Sequence, residues 1–278
     1  MIQAVYFDVD GTLVSFRTHE VPSDTIAALR MLRAAGVYTL LCTGRNVETA
    51  RPLIDTGLFD GVVALNGQYC TLGGKLLRSA PIPRRELEIA VAGAEAGELT
   101  LDFAGAEENF MNRVDEWVLR ADAFGGMPPI RLRPARDALR MPIYQFHLYG
   151  PPGSEDALIR RAPGLVAARW SENFADVYPA GSGKESGMAA VSAALGLPSG
   201  ATMAFGDGEN DIGMLRAAGI GVAMGNASDA VKAAADYVTA SVDEGGILRA
   251  VRAFRARLGI SDSAFDGLLD MDGEGERT

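Results

Sequence analysis

Residues 5–15 read VYFDVDGTLVS, an apolar run that ends in two aspartates one residue apart and then in Gly11-Thr12. This stretch constrains the fold more than any other. IQAVYFD (2–8) reads as a buried strand, and runs of the same kind recur at VYTLLCTG (37–44) and GVVALNG (61–67). Between them lie amphipathic segments. In PSDTIAALRMLRAAG (22–36), Ser23 is the expected N-cap and Asp24 sits in the first turn. Ile26, Leu29 and Leu32 fall at helical spacing, and Gly36 ends the helix. NVETARPLIDTG is a second helix in which Pro52 marks the expected break. Apolar strands alternating with amphipathic helices imply an α/β fold, with a parallel sheet covered on both faces.

The rhythm weakens from about residue 80 to 178. There IYQFHLYG (143–150) alternates as an antiparallel strand with one exposed face would, and PPGSED (151–156) reads as a turn. The rhythm returns with a helix at 184–196, a strand at 201–207 and a helix at 210–219. A strand at 220–225, a helix at 228–235 and a strand at 236–239 follow. The expected organisation is a discontinuous core, residues 1–80 and 180–260, with an inserted α/β domain at 81–179. Residues 261–278, acidic and Gly-rich, are expected to form a flexible tail. The DMDGEGE stretch within it does not meet the spacing of a calcium loop.

Composition excludes several function classes. No apolar run reaches the 18 residues of a membrane span, and the N-terminus enters a strand directly, so neither a membrane segment nor a signal peptide is expected. Cys42 and Cys70 are isolated, which suits a reducing cytoplasm and offers no disulfide framework or zinc site. A net charge of −10 argues against a nucleic-acid partner. It also means that an anionic substrate needs local positive charge.

Ligands of open α/β sheets bind beyond the carboxyl ends of the strands. Asp8 and Asp10 sit at one such end, Asp207 at another with Asn210 and Asp211 following, and Thr43-Gly44-Arg45 at a third. If these strands are neighbours, several carboxylates converge. Two carboxylates about 4 Å apart repel by about 1 kcal/mol in water and about 4 kcal/mol at an effective dielectric of 20. A hard divalent cation such as Mg²⁺ relieves that repulsion and keeps places for a substrate phosphate.

In this order, DVDGTLV, TGR, the lysine of PAGSGKESGMAAV and GDGENDIGML resemble the haloacid-dehalogenase-like (HAD) hydrolase superfamily. ALNGQ (64–68), AMGNA (223–227) and TASVDEGGI (239–247) are similar to its Cof-type branch. The resemblance implies a Rossmann-like core whose inserted domain is an α/β cap. It also implies a Mg²⁺-dependent phosphomonoester phosphatase working through an aspartyl-phosphate. Asp8 is then the nucleophile and Asp10 the general acid and base, with Asp10 reaching the metal through its main-chain carbonyl. Thr43 and the Gly44 N–H would hold phosphate oxygens, Lys184 would neutralise charge, and Asn210 would orient the phosphate or Lys184. Arg45, beside that phosphate site, reads as a structural helix-start residue or a substrate contact. Asp207 would complete the metal shell beside Asp8, and Asp211 would bind the metal directly or through a ligand of it. The implied substrates are small phosphorylated metabolites, sugar phosphates foremost. A phosphotransferase or mutase on the same fold, and a non-catalytic phosphometabolite sensor, remain the rival readings.

Other motifs carry less. YPAGSGKES has Tyr178 and Glu185 where a P-loop needs Gly and Ser or Thr, and GDGEND has Asp211 in place of the last glycine of a dinucleotide loop. His19 reads as solvated, His147 as a sheet-face residue or, in a cap that supplies specificity, a substrate contact, and Trp117 and Trp170 as core or interface aromatics. PRRELE (83–88) reads as a solvated helix start.

Overall fold

A computed structural model describes residues 1–123, 129–169 and 171–266. The strands in chain order are β1 Ala4–Phe7, β2 Tyr38–Cys42, β3 Gly61–Ala64, β4 Tyr69–Leu72, β5 Lys75–Ser79, β6 Thr100–Ala104 and β7 Asn109–Met111. They continue as β8 Gln145–Tyr149, β9 Leu165–Ala168, β10 Phe174–Pro179, β11 Thr202–Gly206, β12 Ile220–Ala223 and β13 Tyr237–Val238. The chain forms two compact units. One comprises Met1–Leu41, Gly57–Asp60 and the described residues from Ser192 on, and the other comprises Cys42–Thr56 and Gly61–Val191.

In the first unit the strands are parallel, in the order β13-β12-β11-β1-β2. Every residue of β1, β11 and β12 is buried, as a parallel sheet covered on both faces requires. Phe7 lies opposite Phe205 in the register of β1 and β11, and their rings stack 5.1 Å apart. That contact pins the carboxyl ends of the two central strands side by side. The helix Ser23–Ala34 buries Thr25, Ala28, Leu29 and Leu32. Its N-cap is Pro22, not the expected Ser23: Ser23 is the first helical residue and makes no side-chain cap. Gly36 adopts φ +75° just beyond the last turn, as expected of a helix stop.

The second unit contains the antiparallel run β3-β4-β5 and a separate five-stranded antiparallel sheet, β7-β6-β8-β10-β9. One face of that sheet packs Phe103, Phe110, Phe146 and Leu148 against Leu87, Ala90 and Val91 of the helix Arg84–Glu95 and Leu158 of the helix Asp156–Arg161. Phe103 stacks on Phe110 and meets Phe146 edge-on. Both sides of β8 are covered, with only His147 half-buried, whereas one exposed face was expected. The alternation there separates an apolar face from a buried polar one, and polar side chains do not imply solvent once other polar groups cover them.

Other expectations shift by a few residues. The strand expected over 61–67 ends at Ala64, because Leu65 and Asn66 turn into left-handed backbone (φ 52° and 51°) that a strand cannot hold. The helix Val47–Ile54 carries Pro52 inside it and ends two residues later. The helix expected from 210 starts at Ile212 after a 3₁₀ turn over Glu209–Asp211. The expected helix start at 83–88 is only partly solvated: Arg84 pairs with Glu88, but Glu86 is buried. Trp117 is half-buried with Arg120 over its ring, and Trp170 lies outside the described residues. Of the expected tail, Asp262–Phe265 form a 3₁₀ turn with Phe265 buried, and residues 267–278 lie outside the described residues. Among the described residues, no helix is long and apolar enough to cross a membrane.

Phe146→Ala removes the central ring of the second unit's apolar cluster. It is expected to cost about 3–5 kcal/mol, seen as a lower urea midpoint with an unchanged slope.

Candidate active site

The carboxylates of Asp8, Asp207 and Asp211 gather at the ends of β1 and β11, with one oxygen of each within 4.8 Å of the others. Asp8 follows Phe7 directly, and its N–H still donates to the Phe205 carbonyl (3.0 Å), so it leaves the sheet in register. Asp8 and Asp211 are buried. Backbone and side-chain donors hold the cluster. Asp211 Oδ2 accepts the N–H groups of Asp207 (3.0 Å) and Gly208 (2.9 Å). Asp207 Oδ1 accepts from Thr12 Oγ1 (2.8 Å), and Oδ2 accepts from Asn226 Nδ2 (3.1 Å).

Asn226 also donates to the Gly11 carbonyl (2.9 Å) and accepts the Val242 N–H (3.0 Å). It therefore ties the turn after β1 to Asp207. Sequence reading gave Asn226 and Thr12 no role. The signal was there, since Asn226 follows the end of β12 in AMGNA and Thr12 follows Gly11.

Asp10 is outside the three-carboxylate group and half-buried. Its turn is tight. The N–H groups of Thr12, Leu13 and Val14 all point at the Val9 carbonyl, and Gly11 N–H donates to Val14 O. Gly11 has φ +86°, and a Cβ there would collide with Asp207 Oδ2. Only glycine lets the turn lie against that carboxylate. Asn210 sits in the 3₁₀ turn beside Asp211, half-buried.

Thr43, Gly44, Arg45 and Lys184 belong to the second unit. Thr43 is buried; its N–H donates to Val63 O (2.8 Å) and its hydroxyl accepts the Arg45 N–H (3.0 Å). Arg45 itself is half-buried and reaches the Thr49 carbonyl (3.4 Å). The left-handed Asn66 returns its N–H to Thr43 O (3.0 Å). Gly44 is backed by the side chains of Asn66 and Asp176, each 3.3 Å from where a Cβ would stand. Lys184 begins the helix Lys184–Ala194 and is fully buried, rare for a lysine unless paired. The Cys42 thiol donates to its carbonyl at 3.9 Å.

A polar row crosses one face of the five-stranded sheet. In register, Asp102, His147 and Asp176 lie side by side on β6, β8 and β10. His147 Nδ1 meets Asp102 Oδ2 at 2.8 Å, and Nε2 meets Gln145 Nε2 at 2.9 Å and Asp176 Oδ1 at 3.6 Å. Asn66 donates to Gln145 (2.8 Å) and to Asp176 (3.1 Å). Burial alone would push the His147 pKa down, but the Asp102 hydrogen bond and the charges of Asp176 and Asp102 raise it above its usual 6.5. His147 is thus a sheet-face residue, as its sequence position suggested, and the row around it was not legible in the sequence.

The sequence model for the haloacid dehalogenase-like hydrolases matches residues 5–251. The Bacillus subtilis protein YkrA is 30% identical over 251 residues, 89% of this chain and 96% of its own length. The 5-amino-6-(5-phospho-D-ribitylamino)uracil phosphatase YcsE of the same organism is 26% identical over 90% of this chain and 95% of its own. Among solved structures, the HAD subclass IIB sugar phosphatase BT4131 superposes with a TM-score of 0.83 at 36% identity, covering 91% of this chain and 99% of its own. The HAD phosphatase BT1666 of Bacteroides thetaiotaomicron gives a TM-score of 0.85 at 35% identity, over 92% and 96%.

Two outcomes test this geometry. Three buried or half-buried carboxylates suit a hard divalent cation. Saturating metal-stripped protein with Mg²⁺ is therefore expected to raise Tm by roughly 5–10 °C, and Asp207→Asn by less than half as much, read by scanning calorimetry. For His147, a raised folded pKa gives stability that is fully present below 6.5 and is lost as pH rises through the folded value. Urea midpoints are expected to fall as pH rises above 6.5 and through the folded value, and His147→Gln is expected to remove that slope. The motif order, the strand-end carboxylates and the full-length matches agree: the chain is an enzyme of the haloacid dehalogenase-like hydrolases, in their Cof-type branch.

Proposed function

We propose that this chain is a Mg²⁺-dependent phosphomonoester phosphatase of small phosphorylated metabolites, sugar phosphates foremost. The carrying observation is the cluster of Asp8, Asp207 and Asp211 at the ends of two adjacent parallel strands. BT4131 is named a sugar phosphatase, and the substrate in YcsE's name carries its phosphate on a polyhydroxylated chain, which supports the substrate class.

In this reading Asp8 attacks phosphorus and forms an aspartyl-phosphate, which splits one hard displacement into two easier ones. Asp10 protonates the leaving oxygen, then takes a proton from the water that releases phosphate. A cation held by the carboxylate cluster would keep Asp8 ionised, and Asp10 stands outside that cluster. Asp8, Asp207, Asp211 and the Asp10 carbonyl would hold Mg²⁺, which would supply charge stabilisation for the phosphoryl group. Thr43, the Gly44 N–H, Arg45 and Asn210 bind phosphate oxygens. Lys184 supplies the local cation that a chain of net charge −10 needs. Residues 1–80 and 180–260 act as the catalytic core and 81–179 as a cap that selects the leaving group. The acidic chain with two buried free cysteines fits a cytoplasmic enzyme with no nucleic-acid partner.

Phosphate release from an aryl phosphate and a panel of sugar phosphates tests the reading. It is expected to need Mg²⁺, to stop with chelator and to vanish in Asp8→Asn. Asp10→Asn is expected to keep the Mg²⁺-induced rise in Tm and to lose turnover by at least about 100-fold. Near-normal turnover in that variant would sink the acid–base assignment.

A further inference from the structure

The loop after the DVDGT segment holds an aromatic ring in water beside the carboxylates. Phe16 is 58% exposed. A single exposed apolar side chain is ordinary; its position here is not. A Cβ on Gly11 would stand 2.6 Å from Phe16 Cε2 and would collide with Asp207 Oδ2. The ring edge, the Gly11 main chain and the Asp207 carboxylate therefore meet at one point.

The flanking residues fix the backbone that carries the ring. Ser15 N–H donates to Glu20 O (3.1 Å) and His19 N–H to Ser15 O (2.9 Å), which closes residues 15–20 into a turn. His19 takes left-handed backbone, φ 56°, to make it. The Ser15 hydroxyl accepts the N–H groups of Arg17 (3.0 Å) and Thr18 (3.3 Å) and donates to Asp243 Oδ1 (2.7 Å). The Arg17 guanidinium meets the same carboxylate oxygen at 3.3 Å. Both neighbours of Phe16 are anchored, and the side chain between them is left in solvent.

We propose that Phe16 is a substrate contact: its ring is the apolar surface on which the leaving group rests, the C–H face of a sugar or the flat face of an aryl ester. This rests on the phosphatase reading. There Asp10 protonates the leaving oxygen, and Gly11, which the ring touches, is the next residue. The leaving group thus sits within reach of the ring. Such a contact forms equally in the ground and transition states, so losing it raises KM and spares kcat.

Steady-state phosphate release by the full-length protein tests this, with Mg²⁺, on p-nitrophenyl phosphate and glucose 6-phosphate, and with inorganic phosphate as competing ligand. Phe16→Ala is expected to raise KM for both esters about threefold to tenfold, with kcat within about twofold. Phe16→Trp is expected to restore KM. The inhibition constant of inorganic phosphate, which has no leaving group, is expected to stay within about twofold of wild type. Phe16→Leu, expected to fall between wild type and Phe16→Ala, serves if the alanine variant does not fold. An unchanged KM overturns the proposal. So does an inhibition constant that rises in step with KM, which makes Phe16 a support for the carboxylates. Failure of the wild type to release phosphate from either ester overturns the phosphatase reading and the proposal together.

Discussion

Repulsion among three carboxylates governs the first unit. Asp8, Asp207 and Asp211 bring like charges within 4.8 Å, and two of the three are buried. The surrounding structure reduces that cost. Two backbone N–H groups point at Asp211, a hydroxyl and an amide hold Asp207, and Gly11 leaves room for the carboxylate against the turn. Each donor comes from a strand end or from the turn that follows one. The stacked Phe7 and Phe205 rings just inside the sheet fix where those ends stand. The cluster suits a hard cation because its donors orient the oxygens without cancelling their charge.

The second unit answers a different problem. Its five-stranded sheet buries an apolar face in the ordinary way, and on the other face it buries charge. His147 stands between Asp102 and Asp176 in register, and Asn66 links Asp176 to Gln145. Buried polar groups of this kind are stable only when satisfied together. The row also holds the left-handed turn at Leu65–Asn66, whose backbone closes on Thr43. Gly44 is thus packed against residues more than a hundred positions away in sequence, Gln145 and Asp176.

Much of this was legible in the sequence. The buried character of β1 and β11, the helix over 22–36 and the aspartates at strand ends follow from local pattern, because burial on both faces demands continuous apolar residues. Three features were not legible. Ser23 looked like a cap, yet Pro22 occupies that position. VVALNG looked like a strand to its end, yet Leu65 and Asn66 reverse the backbone, held by a hydrogen bond to Thr43 that sequence proximity does not suggest. The alternation of β8 looked like one wet face, yet partners from β6, β10 and the Asn66 turn cover it.

The sequence by itself determined the class of chemistry. An apolar strand that ends in Asp8-Val9-Asp10-Gly11-Thr12, followed in order by the later motifs, constrains the chain locally at every step. Tertiary structure alone decided which carboxylates come together and which side chains aim them. Asn226 reaches Gly11 and Asp207 across more than two hundred residues and nineteen residues respectively, and Asp243 reaches Ser15 across 228. Those contacts exist because parallel strands distant in sequence finish side by side, a condition that long-range packing imposes and local pattern cannot encode.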